Sequence, residues 1–374
     1  MIKALKYIST LLMLILLLTS TAYAKQDMDT AIVLEASQVK EKTQASEGTP
    51  LAYQTVKLKI TSGKYKGQVF TIENNLTGNL AFDIIVKKGD KVFVYIEPQK
   101  DGHLDVFILD YYRQDYVLYL TLLFAASLIL VGRQKGIKAI ITLAFTFFII
   151  IKILLPAILL GYNPIPIAVL VSIVITVLTM FIIAGINSKS ISAIIGTTSG
   201  VILAGFIAYF IGSKIRLTGL SSDEAAMLLY IPQQITFDFK SLLFAGIILG
   251  ALGAVMDVGI SIASAVEEIS RANENLTTGQ LFSAGMNVGR DIMGTMASTL
   301  ILAYSGSAIP LLLLFMAYQT SLKEIINLDI IATEIVRSLA ASTGLVAAIP
   351  LTALAAAILV KKSKKQSEHT VVRK

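Results

Sequence analysis

The residues whose types could do chemistry lie in two apolar stretches. Residues 242–268 read LLFAGIILGALGAVMDVGISIASAVEE and carry Asp257. Residues 281–307 read LFSAGMNVGRDIMGTMASTLILAYSGS and carry Asn287, Arg290, Asp291 and Thr295. A carboxylate inside an apolar span is costly, so Asp257 should face other helices and have a partner or water. It could exchange a proton, with Arg290 as its counter-ion. Equally, Arg290 could pair with Asp257 or Asp291 only to hold helices together. Arg290 and Asp291 are adjacent, so they project about 100° apart on a helix. Asn287, Asp291, Thr295 and Thr299 recur every fourth residue and form one polar stripe. Such a stripe suits a water-lined path or a polar helix seam.

Small residues accompany these groups. Gly246, Gly250 and Gly253 share one helical face that continues to Asp257. Gly285 and Gly289 form a GxxxG pair, and Gly294 lies beyond them. Glycines at this spacing let helix backbones approach closely. Gly196, Gly200 and Gly205 mark another close-packed helix. Between the two chemical stretches runs a polar loop, 267–280. Its Glu267, Glu268, Arg271 and Glu274 are expected on a solvated cytoplasmic face where a protein partner could dock.

These residues need spanning helices to hold them. Apolar segments occur at 117–131, 138–160, 165–186, 191–211, 242–265, 281–304, 309–317 and 342–360. A spanning helix takes about 20 apolar residues, so 309–317 is too short alone. The predicted architecture is seven spanning helices plus a re-entrant or interfacial segment near Pro310. Eight crossings, with the tail outside, is the alternative. Lys152 is expected to reach an interface along its aliphatic stem. Residues 222–229 look like a short amphipathic surface helix.

The amino terminus carries Lys3, Lys6, an apolar run at 11–18 and Ala22-Tyr23-Ala24. That is the pattern of a secretory signal peptide, residues 1–24. It places the next segment, 25–115, outside the cytoplasm. Strand-like alternation at 54–61, 67–73, 90–97 and 104–110 predicts a small all-β domain of SH3-like or OB-like type there. Residues 35–50 read as a polar loop. The membrane domain then covers 116–361. Basic residues at 133–138, and the tail 362–374, belong on the cytoplasmic side.

Composition narrows the function. Hydrophobic residues make up 55% of the 374 and charged ones only 15%, unlike a soluble domain. The excess of basic residues flanks apolar segments, so it sets orientation in a lipid bilayer and does not indicate nucleic acid. With no cysteine, disulfides, thiolate catalysis and iron–sulfur sites are excluded. No HExxH, GxSxG or Walker A pattern is present, so neither an enzyme nor a cofactor is expected. Residues 267–271 miss an intramembrane-protease EExxxR motif by one position.

The runs GALGAVMDVGISIASAVEEIS at 250–270 and GMNVGRDIMGTMASTLILAYSGS at 285–307 resemble the signature region of the YibE/F family of bacterial membrane proteins. The similarity extends over most of 116–360 and takes in the preceding β domain with its Asp110-Tyr111-Tyr112-Arg113 junction. It implies a multi-spanning protein and a paired homologous subunit, but no catalytic residue. The expected function is a permease-like protein for a small solute or ion. The alternatives are a non-transporting scaffold or sensor, and the membrane subunit of a complex driven by a separate ATPase.

Overall fold

The computed structural model describes residues 28–41, 52–79, 81–100, 103–231 and 236–371, with side chains to 363. The expected signal peptide lies outside these, and of the basic tail the helix of α11 covers residues 362–371, with side chains described only to 363. The chain divides between Phe124 and Ala125 into two compact units.

The first unit is a β half-barrel. Its strands are β1 (Asp29–Ala36), β2 (Lys40–Glu41), β3 (Ala52–Ile60), β4 (Val69–Leu76), β5 (Lys91–Pro98) and β6 (Leu104–Tyr111). The order is β2-β3-β1-β5-β6, with β4 also on β3 and every pairing antiparallel. β4 and β6 come into contact, which curls the sheet. Alternation builds the core: Ala31, Val33, Val56, Leu58, Val92 and Val94 point inward and are buried. The sequence reading missed β1, the strand between β3 and β5. A register shift between Val33 and Glu35 interrupts its alternation, and it shortens the loop expected from residue 35. Gln54, also buried, is satisfied by Val86: its amide donates to the carbonyl at 2.8 Å and accepts from the N–H at 3.1 Å.

The unit ends in a charged, tyrosine-rich junction. Lys91 pairs with Asp115 at 2.5 Å and Arg113 with Asp110 at 2.7 Å. The Arg113 guanidinium holds the Asp110 carboxyl below its usual range. Together with Tyr111, Tyr112, Tyr116 and Tyr119, Lys91 and Arg113 line a cavity of about 610 Å³.

Helices make up the rest: α1 (Gln114–Gly132), α2 (Gln134–Ile149), α3 (Leu155–Leu159), α4 (Pro164–Ala184), α5 (Ser188–Lys214), α6 (Asp223–Met227), α7 (Phe239–Ala272), α8 (Thr278–Ser307), α9 (Ile309–Ala317), α10 (Leu322–Asn327) and α11 (Asp329–Val371). α2 and α3 are joined by a wide π turn, Ile150–Leu154, where the Leu155 N–H bonds back to the Ile150 carbonyl. Among the described residues, six helices are long and apolar enough to cross a membrane: α1, α2 continued through α3, α4, α5, α7 and α11. α8 and α9, bent by 60°, make a seventh if taken as one span. The expected seven fits this count; eight does not, because α9 has nine residues and no span of its own.

Three expectations need correction. The last span begins at Asp329, not 342; Glu334 and Arg337 interrupt the apolar run without interrupting the helix, because they bond to each other. The polar loop 267–280 is mostly helix. α7 runs to Ala272, and a reciprocal cap between Thr277 and Gln280 starts α8, so only residues 273–277 connect them. Glycine packing is also redistributed. A Cβ on Gly200 would lie 2.7 Å from the Gly344 carbonyl oxygen and 2.8 Å from Ala348 Cβ, so α5 and α11 pack backbone to backbone. Gly285 and Gly289 sit tightly against Ala353 and Ile349 of α11, as their spacing predicts. Gly246, Gly253 and Gly294, expected at helix contacts, have nothing within 4 Å of a Cβ.

Candidate functional site

α7 packs its wide apolar face, including Val255, Val258 and Ile262, into the helical core. Gly246, Gly250, Gly253, Asp257 and Ser261 occupy the opposite side and are exposed. Asp257 therefore does not face the bundle interior: it makes no hydrogen bond or ion pair among the described residues. On α8, Leu281, Gly285, Gly289 and Leu300 are buried, whereas Asn287, Arg290, Asp291, Gly294 and Thr295 are exposed. The Arg290 guanidinium donates to Asn287 Oδ1 at 3.2 Å, not to Asp257 or Asp291. Thr295 donates to the Ile292 carbonyl. The predicted polar residues thus each face outward, and of them only Asn287 and Arg290 touch among the described residues.

A second polar centre does converge, and the sequence reading missed it. Arg337 Nη1 lies 2.8 Å from Glu334 Oε1, one turn apart on α11. The two side chains are 31% and 23% exposed, too sheltered for an ordinary surface pair. Glu334 Oε2 is enclosed and has no hydrogen-bond partner among the described residues. The guanidinium also stands 5.9 Å from the Tyr304 ring of α8. Tyr304 in turn reaches α7, its hydroxyl filling the space where Gly250 has no side chain. Glu334 lines a cleft of about 250 Å³ with Ser305, Ala308, Leu312 and Ser338. The cleft lies where α8 ends and α9 turns away. Pro310 has no N–H to return to the carbonyl four residues back, so the helix cannot continue straight. The end of α8 and the Glu334 carboxylate therefore line the same cleft. A charged pair spaced i,i+3 just before an apolar run was the available signal.

At one end of the bundle, Glu267 bridges two cations. Lys189 of α5 lies 3.3 Å away and Arg271 2.9 Å. Its side chain is 14% exposed, so it ties α5 to α7 and does not sit on the solvated face expected for it. Arg271 also reaches the exposed Glu268 at 3.5 Å, and the Glu274 carbonyl accepts from Lys361. Among the described residues no three acidic, histidine or cysteine side chains cluster so as to hold a metal ion.

A β half-barrel followed by six or seven apolar spans, with ionisable groups at span depth, defines a multi-pass membrane protein. The YibE/F-like protein model matches residues 120–362, and the YibE/F family N-terminal domain matches residues 23–111. The chain belongs to the YibE/F family. No curated protein and no solved structure matches it.

Proposed function

We propose that this protein is a permease that moves a small solute or ion across the membrane. The observation that supports this reading is the Glu334–Arg337 pair beside the broken helix α8–α9. Discontinuous helices with polar groups at their free ends recur where transporters hold substrates and coupling ions. A ligand with a hydrogen-bond donor would satisfy Glu334 Oε2, and Arg337 would hold the carboxylate in place. Asp257, also inside a span, is the second group able to exchange a proton. The chemistry is binding and release, with no covalent step. In this reading the half-barrel lies outside the cytoplasm and the basic tail inside, as the positive loops suggest.

Scaffolding is the competing role, and water access separates the two. The chain has no cysteine, so Ser305→Cys and Ser338→Cys each introduce a single thiol. In a permease, both react with a membrane-impermeant maleimide, and reconstituted protein passes ions or solutes at a rate that Glu334→Gln lowers tenfold or more. If both thiols stay unreactive and the reconstituted protein passes neither ions nor solutes, the permease reading fails; flux unchanged in Glu334→Gln would remove Glu334 from it. Co-purification of a stoichiometric ATPase would recast it as the membrane half of a pump. The tightly capped turn at residues 273–277 offers little surface for such coupling.

A further inference from the structure

Arg290 and Asp291 pose a problem that the single chain does not solve. Both lie on the outward face of α8, well inside the span, and neither pairs with an opposite charge among the described residues. Charges at that depth need a partner. Their spacing says where it is. Successive helical residues project about 100° apart. Ser283, Asn287, Gly294 and Ser298 are also exposed, and by the same count they fall between the two charges. The outward face of α8 is thus a ridge of small residues with Arg290 on one flank and Asp291 on the other, at one height. A Cβ on Gly294, at its centre, would meet nothing within 4 Å among the described residues.

We propose that this ridge docks against the same ridge of a second copy of the chain. Two copies inserted in one membrane point the same way, so their symmetry axis runs along the membrane normal. Rotation by 180° about it turns the Arg290 flank of one helix towards the Asp291 flank of the other. Each Arg290 then meets the partner copy's carboxylate, and both pairs form at once, as an isologous contact requires. Small residues let the backbones come close enough. The ridge carries both signs of charge in a mirrored arrangement, so the occupant it fits is itself. An apolar partner would leave two charges unpaired.

Two measurements test this on the full-length protein. In native membranes, Ser298→Cys is expected to form an intermolecular disulfide on mild oxidation. Phe206→Cys, on the exposed side of α5, is not. For the charges, Arg290→Asp or Asp291→Arg alone should lower the dimer fraction at least tenfold in intact-complex mass spectrometry. The exchange Arg290→Asp with Asp291→Arg restores reciprocal pairs and should restore the dimer. The proposal is overturned if Ser298→Cys gives no disulfide, if the wild type is a monomer at every lipid ratio, or if a different protein occupies the ridge. It is equally overturned if the exchanged pair behaves as the worse of the two single variants. The disulfide test keeps all native charges, so it stands even if a charge variant fails to fold.

Discussion

Asp83 shows how a single exposed carboxylate shapes a loop. It accepts from the Thr77 N–H at 2.6 Å, the Thr77 hydroxyl at 2.9 Å and the Gly78 N–H at 2.8 Å. The Thr77 N–H bond leads in holding its carboxyl below the ordinary 3.8. A depressed folded value stabilises the loop above pH 3.8 and is lost as pH falls through the lower value. Hydrogen-exchange protection at Thr77 and Gly78 should therefore drop on acidification. In Asp83→Asn it should be low already at neutral pH and vary little. Equal protection in the two proteins at pH 7 would remove the bond from the account. Glu267 is a different case because it is sheltered between two cations. Glu267→Gln should lower stability by about 1–3 kcal/mol, the scale of losing a charge-assisted hydrogen bond. Thermal unfolding in detergent reads this directly. Identity and depth of the charged residues were plain in the sequence; their partners were not. Arg290 next to Asp291 invited an intrachain pairing, but a helix holds neighbours on different sides.

Helices explain which glycines matter. Spacing made Gly246, Gly253, Gly285, Gly289 and Gly294 look alike, but only packing separates them. Gly200→Leu would force a side chain into the α5–α11 contact and should cost about 1–3 kcal/mol or more. Gly246→Ala and Gly253→Ala meet open space and should be neutral or gain about 0.5–1 kcal/mol, as alanine does in a helix interior. Melting temperatures of the three proteins give the comparison; a loss in Gly253→Ala comparable with that in Gly200→Leu would show that its face is covered. Helix ends were harder to read than helix centres. The apolar count stopped at 342 because Glu334 and Arg337 look like loop residues to a hydropathy window. In the fold they cancel each other, and the helix begins thirteen residues earlier, at Asp329. β1 was lost for the opposite reason: its inward residues are ordinary, but its bulge hides the period.

At the scale of the whole molecule, parity decides the topology. With α8–α9 as one crossing, seven spans put the half-barrel and the end of α11 on opposite sides. If α8–α9 entered and returned, six spans would put them on the same side; Lys361 at the Glu274 carbonyl sets the end of α11 beside the end of α7, which fits the seven. His103→Cys and Ser363→Cys, labelled separately in right-side-out cells, distinguish these. We expect only the first to react with an impermeant reagent; reaction of both would mean six crossings. Hydropathy made the number of spans legible, but the sense of a 60° bend depends on how α9 meets lipid, which no residue count contains. The π turn at Ile150–Leu154 has a separate consequence. Removing one residue from a regular spanning helix turns everything beyond it by about 100° and usually ruins its packing. A π turn already contains one surplus residue, absorbed locally. Deleting Ile151 would therefore tighten the turn and leave the flanking faces where they are. The chain can lose one residue at this place without reorienting a helix, which makes the π turn the point in this span where a deletion does least harm.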